Sequence, residues 1–185
     1  QRKNICKELL DGQLDYWKNK LKDVEPLNLP FDFFNNVPTS QPKGDFLELE
    51  INSPIVDNLK QIGKRQGATL FMVLLSSLKI LMYKYTGQQD ICIGSPVAGR
   101  SQKNLEDIVG FFVNTLALRT DLSENPSFIA LLSRVKDTTL SGYDNQDIPF
   151  ERIVETLVKE RNTGRTPLFQ VLFNLQNADW MDGLT

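Results

Sequence analysis

The sequence predicts a layered α/β domain, and three observations carry that prediction. Apolar residues recur at helical spacing in several stretches, short runs with strand preference fall between them, and no segment repeats another. With 185 residues, 41% of them hydrophobic, the chain is near the usual size of one domain and has enough apolar side chain to fill a core.

In chain order, "ICKELLDGQLDYWKNKL" sets Leu10, Leu14, Trp17 and Leu21 at helical spacing and reads as an amphipathic helix in which Gly12 is the point of interruption. "PLNLPFDFFNNVPTSQPKG", with four prolines, reads as an extended linker running over a surface. "FLELEI" has the residue preference of a strand. "SPIVDNLKQIGKRQG" predicts a helix capped by Ser53, with Pro54 at its first position, Ile55, Leu59 and Ile62 as its apolar stripe and Gly67 as a left-handed close. "ATLFMVLLSSLKILMYKYTG" runs from a Thr69 cap to Gly87 and is apolar almost all round, which places it centrally.

Next, "DICIGSPVAGR" gives a short buried strand over 91–93 that ends in a Gly/Pro turn. A short helix over 105–109, closed by Gly110, leads into "VGFFVNTLALR", a strand over 109–119 with both faces apolar except at Asn114. "NPSFIALLSRVKDTTL" predicts a helix with Asn125 as cap, Pro126 at the first position and Phe128, Leu131, Leu132 and Val135 inward. "DIPFERIVETL" repeats the device with Pro149 and buries Phe150, Ile153, Val154 and Leu157. The last strand is "PLFQVLFNLQN", with Phe169, Val171, Phe173, Leu175 and Asn177 on one face. The divisions are a leading helix (1–24), an extended linker (25–45) and an α/β body (46–185).

Composition excludes several functions. A formal net charge of -2 announces no polyanion-binding surface, so nucleic acid is not an expected partner. The longest apolar run, "TLFMVLLSSLKILMY", is interrupted by Ser76, Ser77 and Lys79 and is too short to span a bilayer comfortably, so no membrane association is expected. Cys6 and Cys92 lie far apart and form no metal-binding pair, which favours reduced thiols and a cytoplasmic location. The chain has no histidine, which removes Ser-His-Asp and Cys-His sites, most zinc sites and the commonest general base near neutral pH.

The candidate chemistry is sparse. There is no GxxxxGK[ST] and no GxGxxG, so a nucleotide site has no support. "SSLK" has Ser76 and Lys79 at the S-x-x-K spacing of one class of serine hydrolases, but mid-helix in the most apolar segment, where a Ser hydroxyl bonds back to the preceding turn. "GSPVAGRSQ" gathers Gly94, Ser95, Pro96, Gly99 and Arg100 at the carboxyl end of a strand, a common place for sites in α/β domains, or else forms a tight turn with a solvated arginine. "NQDIPFE" reads as a loop and helix start with Glu151 in the first turn. "RNTGRTP" offers two arginines for a phosphate, or is a solvated loop. Asn114 is either a structural tether or part of a polar site, because a buried amide without partners costs about 1–3 kcal/mol.

In sequence order, "YWKNKL", "IGSPVAGR", "VGFFVNTLALR", "NQDIPFERIV" and "RNTGRTPLFQVLFNLQN" resemble the second half of a nonribosomal peptide synthetase condensation domain, from about Leu14 to Asn177. The resemblance implies a chloramphenicol acetyltransferase-like lobe with a mixed sheet packed by helices, one of two that face each other across a tunnel. It also implies carrier proteins as partners, presenting phosphopantetheine-tethered acyl groups, with the N-terminal lobe and an adenylation domain as neighbours. The acceptor amine attacks the donor thioester to make a peptide bond. The family's HHxxxDG motif belongs to the first lobe, so no catalytic residue and no metal site is expected in this chain, which reads as most of a C-terminal lobe, inactive alone, with no cofactor bound directly.

Carried over residue by residue, the resemblance makes Arg100 the arginine that pairs with the HHxxxDG aspartate and fixes the histidine loop. It makes Asn114 a buried tether near the tunnel and turns Asn177 toward the tunnel. Gly94, Pro96, Asn145, Gln146, Asp147, Pro149 and Phe150 fall in structural motifs, with Asn145 where the family more often has histidine. Two alternatives stand beside condensation: a related epimerisation domain, which "GFFVNTLALR" and "PFERIV" fit less well, and a noncatalytic lobe that only docks a carrier protein or neighbouring domain. A lobe lacking its partner should expose an apolar face and self-associate.

Overall fold

The computed structural model describes residues 7–30, 44–98, 110, 112–158 and 167–176. Five helices and two strands follow in the order α1 (Lys7–Leu21), α2 (Ser53–Arg65), α3 (Leu70–Thr86), β1 (Asp90–Val97), β2 (Asn114–Asp121), α4 (Phe128–Asp144) and α5 (Phe150–Leu157). This is the α/β architecture expected from the alternation of helical and strand patterns. The short helix expected over 105–109 lies outside the described residues.

β1 and β2 pair antiparallel from Asp90 opposite Asp121 to Val97 opposite Asn114. β1 is longer than the 91–93 strand expected, because pairing continues through Pro96. β2 begins at Asn114 rather than at 109, and Val113 just before it is half exposed, so the amide stands at the strand's first position and not in its middle. "PLFQVLFNLQN" contributes one parallel bridge instead of a full strand. The Gly94 amide donates to the Val171 carbonyl at 2.9 Å, and the Phe173 amide donates to the Gly94 carbonyl at 2.8 Å. Among the described residues the sheet is thus a two-stranded antiparallel pair with a single parallel bridge at the edge of β1, not the mixed sheet expected.

Both faces of the sheet are covered. Leu116 and Leu118 point to α4, where Gly142 lets the helix close in: a Cβ there would stand 3.1 Å from Leu118 and 3.6 Å from Leu116. Side chains alternate, so Gly94 and its partner Ala117 face the other way. On that face the Phe169 ring occupies the space a Gly94 Cβ would take, and Phe150 of α5 lies against Phe169 with ring centroids 5.4 Å apart. Ile91, Ile93, Leu116 and Leu118 join Trp17 and Leu21 of α1, Leu75 of α3 and Leu131 and Leu132 of α4 in one core. Arg119 closes the sheet's far end. It grips both Asp90 oxygens, with contacts of 2.7–2.9 Å, and donates to the Lys20 and Lys22 carbonyls at the end of α1. This satisfies carbonyls that a helix terminus leaves open and sets a cation at the negative end of its dipole.

Helix ends agree with expectation where one cap residue dominates. The Thr69 hydroxyl accepts from the Met72 amide at 3.3 Å, and Gly87 closes α3 with φ 70°. Gly67 is likewise left-handed, with φ 58°. Elsewhere the caps shift. Asn52, not Ser53, precedes α2; Ser127, not Asn125, caps α4 by accepting from the Ala130 amide; and Pro149 is the residue before α5 rather than its first. α1 runs unbroken through Gly12, whose position faces solvent with nothing near a notional Cβ. α3 is not buried all round, for Leu81 and Tyr85 are 48% and 64% exposed.

"FLELEI" forms no strand. Residues 44–52 carry no regular secondary structure, with Phe46, Leu47 and Leu49 at least 80% exposed. Strand preference reflects packing against neighbours, and no described segment lies beside this one. No single helix among the described residues is long and apolar enough to cross a membrane.

Gly94→Ala is expected to destabilise the chain by about 1–3 kcal/mol in urea unfolding, because the new methyl meets the Phe169 ring. Combining it with Phe169→Leu should recover part of that loss, since the smaller side chain vacates the contested space.

Candidate functional site

At the end of the sheet where β1 finishes and β2 starts, the α4–α5 connection is held by two side-chain amides. Asn114 donates through Nδ2 to the carbonyls of Gln146 and Ile148, both at 2.8 Å. Its Oδ1 accepts from its neighbour's amide, Thr115, at 2.9 Å and from the Phe150 amide at 3.1 Å. The second of these supplies the cap that Pro149 cannot, because it satisfies the first amide of α5 from a different element. Asn114 is half-buried rather than fully buried, and it is a tether joining β2 to α5.

The second amide is Gln13 on α1, only 4% exposed. Its Nε2 donates to the Asp144 carbonyl at 3.3 Å and to Asp147 Oδ2 at 3.1 Å. Its Oε1 accepts from the amides of Asp147 and Ile148 at 3.0 and 3.1 Å. Ile148 thus has its N–H held by Gln13 and its carbonyl held by Asn114, while its side chain is buried in the core. The indole of Trp17, one turn along α1, donates to the Asn145 carbonyl at 2.8 Å. Asn145 and Gln146 spend their own amides on carbonyls of the last turn of α4, those of Ser141 and Tyr143.

Sequence reasoning missed Gln13, yet a signal was present. It sits three residues after Leu10 and four before Trp17, on the inward stripe of an amphipathic helix, where a polar residue must find partners. An amide suits the task because it offers donors and an acceptor together without charge.

The structure brings Gly94, Pro96, Asn114, Asn145, Gln146, Asp147, Pro149 and Phe150 into one region around the sheet end and the connection behind it. Pro96 is paired opposite Thr115, and Val97 opposite Asn114. Arg100 and Asn177 lie outside the described residues, as do Cys6 and the arginines of "RNTGRTP".

The S-x-x-K pair is structural. Ser76 is fully buried and its hydroxyl donates to the Met72 carbonyl at 2.7 Å. Lys79, also fully buried, donates to the carbonyls of Ile91 in β1 and Leu118 in β2 at 2.9 and 2.6 Å, tying α3 across both strands. Burial pushes the Lys79 ammonium from its ordinary 10.5 down to about 7 and the buried Cys92 thiol up to about 12. Neither opens to a surface where a substrate could reach it. No group of acidic, thiol or imidazole side chains suited to a metal occurs among the described residues. Chemically the described part of the region can fix geometry and offer surface.

Comparison with known proteins bears on this arrangement. The family model described as Condensation domain matches residues 1–184. Tyrocidine synthase 3 of Brevibacillus parabrevis is 43% identical over 174 residues, covering 93% of this chain and 3% of that protein. The chain therefore spans a small fraction of the length of such relatives. A crystal structure of a four-domain nonribosomal peptide synthetase bound to AMP and glycine superimposes with a TM-score of 0.81 at 26% identity, covering 98% of this chain and 14% of that one. The X-domain of teicoplanin biosynthesis, solved in complex with OxyB, gives a TM-score of 0.81 at 26% identity, over 89% of this chain and 36% of that one.

Asn114→Leu should destabilise the fold by about 2–4 kcal/mol, since two carbonyls and the first amide of α5 lose their partner. Combined with Gln13→Leu it should show a coupling of at least about 0.5 kcal/mol in a double-mutant cycle, because both amides hold Ile148.

Lys79 gives a separate pH signature. Between pH 7 and 10.5 the unfolded chain keeps the Lys79 proton and the folded chain releases it, so stability rises with pH above about 7. Cys92 opposes this once pH passes its ordinary 9.0, where the unfolded thiol ionises and the folded one does not. Urea unfolding from pH 7 to 9 should show the rise, and Lys79→Met should flatten it while lowering stability at every pH.

Proposed function

The chain belongs to the condensation-domain family, and from that premise we propose that it is the C-terminal lobe of a peptide-bond-forming domain in a nonribosomal peptide synthetase. One observation carries the reading: the family match extends over residues 1–184, with the motifs "IGSPVAGR", "VGFFVNTLALR" and "NQDIPFERIV" in the family's order. The substrates are acyl and aminoacyl thioesters tethered to phosphopantetheine on carrier domains, and the acceptor amine attacks the donor carbonyl. A C–N bond forms, the C–S bond breaks, the sulfur leaves as the donor's thiol, and the amine gives up a proton. An adenylation domain is a further neighbour, and the setting is cytoplasmic.

In this reading the lobe orients and encloses, which is a large part of such catalysis. Its histidine-free composition assigns proton handling to the HHxxxDG lobe. Arg100, three residues beyond β1, fixes the histidine loop through its aspartate. Asn177, just past the bridge at Leu172, turns its amide to the tunnel. Asn114 holds the tunnel-side end of the sheet rigid through Ile148 and Phe150. Residues 1–24, 25–45 and 46–185 serve as leading helix, linker and lobe body.

A second reading is docking without catalysis, and the likeness to an X-domain solved in complex with OxyB supports it.

The test is peptide formation by the intact synthetase with carriers loaded on both sides. Arg100→Ala and Asn177→Ala are each expected to lower the rate roughly 10–100-fold with unchanged thermal unfolding. Unaltered rates in both variants would overturn the assigned roles. Carrier binding with no product from the unaltered protein would favour docking alone.

A further inference from the structure

Position 13 lies on the inward stripe of α1 and is 4% exposed, so a leucine there would be buried with no polar group to satisfy. The chain instead places an amide and gives it four partners where α4 passes to α5: the Asp144 carbonyl, Asp147 Oδ2 and the amides of Asp147 and Ile148. Apolar contact lets one surface slide on another, whereas four directional hydrogen bonds admit one placement. The bonding continues beyond this contact. The Ile148 carbonyl accepts from Asn114 Nδ2 at 2.8 Å, and Asn114, the first residue of β2, is paired with Val97, the last of β1. The Phe150 amide at the start of α5 donates to the same Asn114 side chain. Gln13 therefore ties α1 to the ends of both strands through Ile148 and Asn114.

We propose that Gln13 is a positioning residue for peptide-bond formation. The inference rests on the condensation reading above, in which the first lobe precedes α1 in the chain and the tunnel lies at the end of the sheet where β1 finishes. On that reading α1 is the element that joins the two lobes, and Gln13 fixes how it meets the tunnel-side corner. The C-terminal half of the helix is held independently: Trp17 and Leu21 are buried in the core, and Arg119 grips the carbonyls of Lys20 and Lys22. Losing the amide therefore leaves α1 docked but frees its placement against the corner. A misplacement of about 1 Å far from the reacting atoms can slow a reaction roughly 100-fold, because amine and carbonyl no longer meet in line.

The experiment measures peptide formation by the intact synthetase with both carriers loaded, well below the thermal unfolding transition of each variant, and separates kcat from the KM for the acceptor carrier. Gln13→Leu removes all four bonds and is expected to lower kcat roughly 10-fold with KM unchanged. Gln13→Glu keeps an acceptor for the two amides but sets a carboxylate against that of Asp147, and it should be about as slow. Adding Asp147→Asn to Gln13→Glu reverses the direction of that hydrogen bond without changing the net charge of the pair, and should recover most of the rate. Such recovery distinguishes a bond that sets geometry from a general loss of packing. Unchanged kcat in Gln13→Leu would overturn the proposal, as would a slow Gln13→Glu that Asp147→Asn does not relieve. A change confined to KM would overturn it too, since the loss would then lie in carrier docking. Absence of peptide from the unaltered synthetase would overturn the condensation reading together with the proposal, whereas the other failures leave that reading standing.

Discussion

The fold depends on how one connection is held. Between α4 and α5 the backbone turns with its amides and carbonyls facing inward, and two side-chain amides, Gln13 and Asn114, take up those groups with their full bonding capacity. Each bond is worth only about 1 kcal/mol net, but each group left without a partner costs about 1–3 kcal/mol. The asymmetry makes the connection all-or-none. Because it joins α1, β2, α4 and α5, those four elements are positioned together. Carboxylates or ammonium groups in these places would have brought a desolvation penalty and a pH dependence, which neutral amides avoid.

How much of this was legible in the sequence varies with how local its cause is. The helix between Thr69 and Gly87 could be read at both ends because cap and close are single residues with no rival beside them. The starts of α2 and α4 are displaced from expectation, since Asn52 competes with Ser53 and Ser127 with Asn125, and of the α2 stripe Leu59 and Ile62 pack on the core while Ile55 is exposed. The need for Asn114 to be bonded was evident from its apolar surroundings. Its partners were not, because they lie 32 to 36 residues further on in a segment that looks like an ordinary loop. Lys79 shows the reverse: its spacing from Ser76 suggested chemistry, and only the position of two strand carbonyls reveals a structural tie. "FLELEI" has a strand's composition, but a strand needs a neighbour, and composition says nothing of one.

Membership of the condensation family and the geometry meet at the end of the sheet. The family motifs that could be recognised as text fall where β1 ends, where β2 starts and where α4 passes to α5. They are consecutive parts of one rigid corner rather than separate sites. Gly94 belongs to the same economy of space, for its missing side chain lets Phe169 stack over the sheet and bring Phe150 with it. The result is a corner in which the family motifs share one set of hydrogen bonds and ring contacts.

The hydrogen bond between Gln13 and Ile148 spans 135 residues of chain. A ribosome adds roughly 5–20 residues per second, so α1 emerges roughly 7–27 s before the segment that receives it is made. Throughout that interval Gln13 has no connection to bond, although core partners of Trp17 and Leu21, among them Leu75, Ile91 and Ile93, are made earlier. The hydrogen bonds that anchor α1 through Gln13 thus form only after most of the core residues have been made.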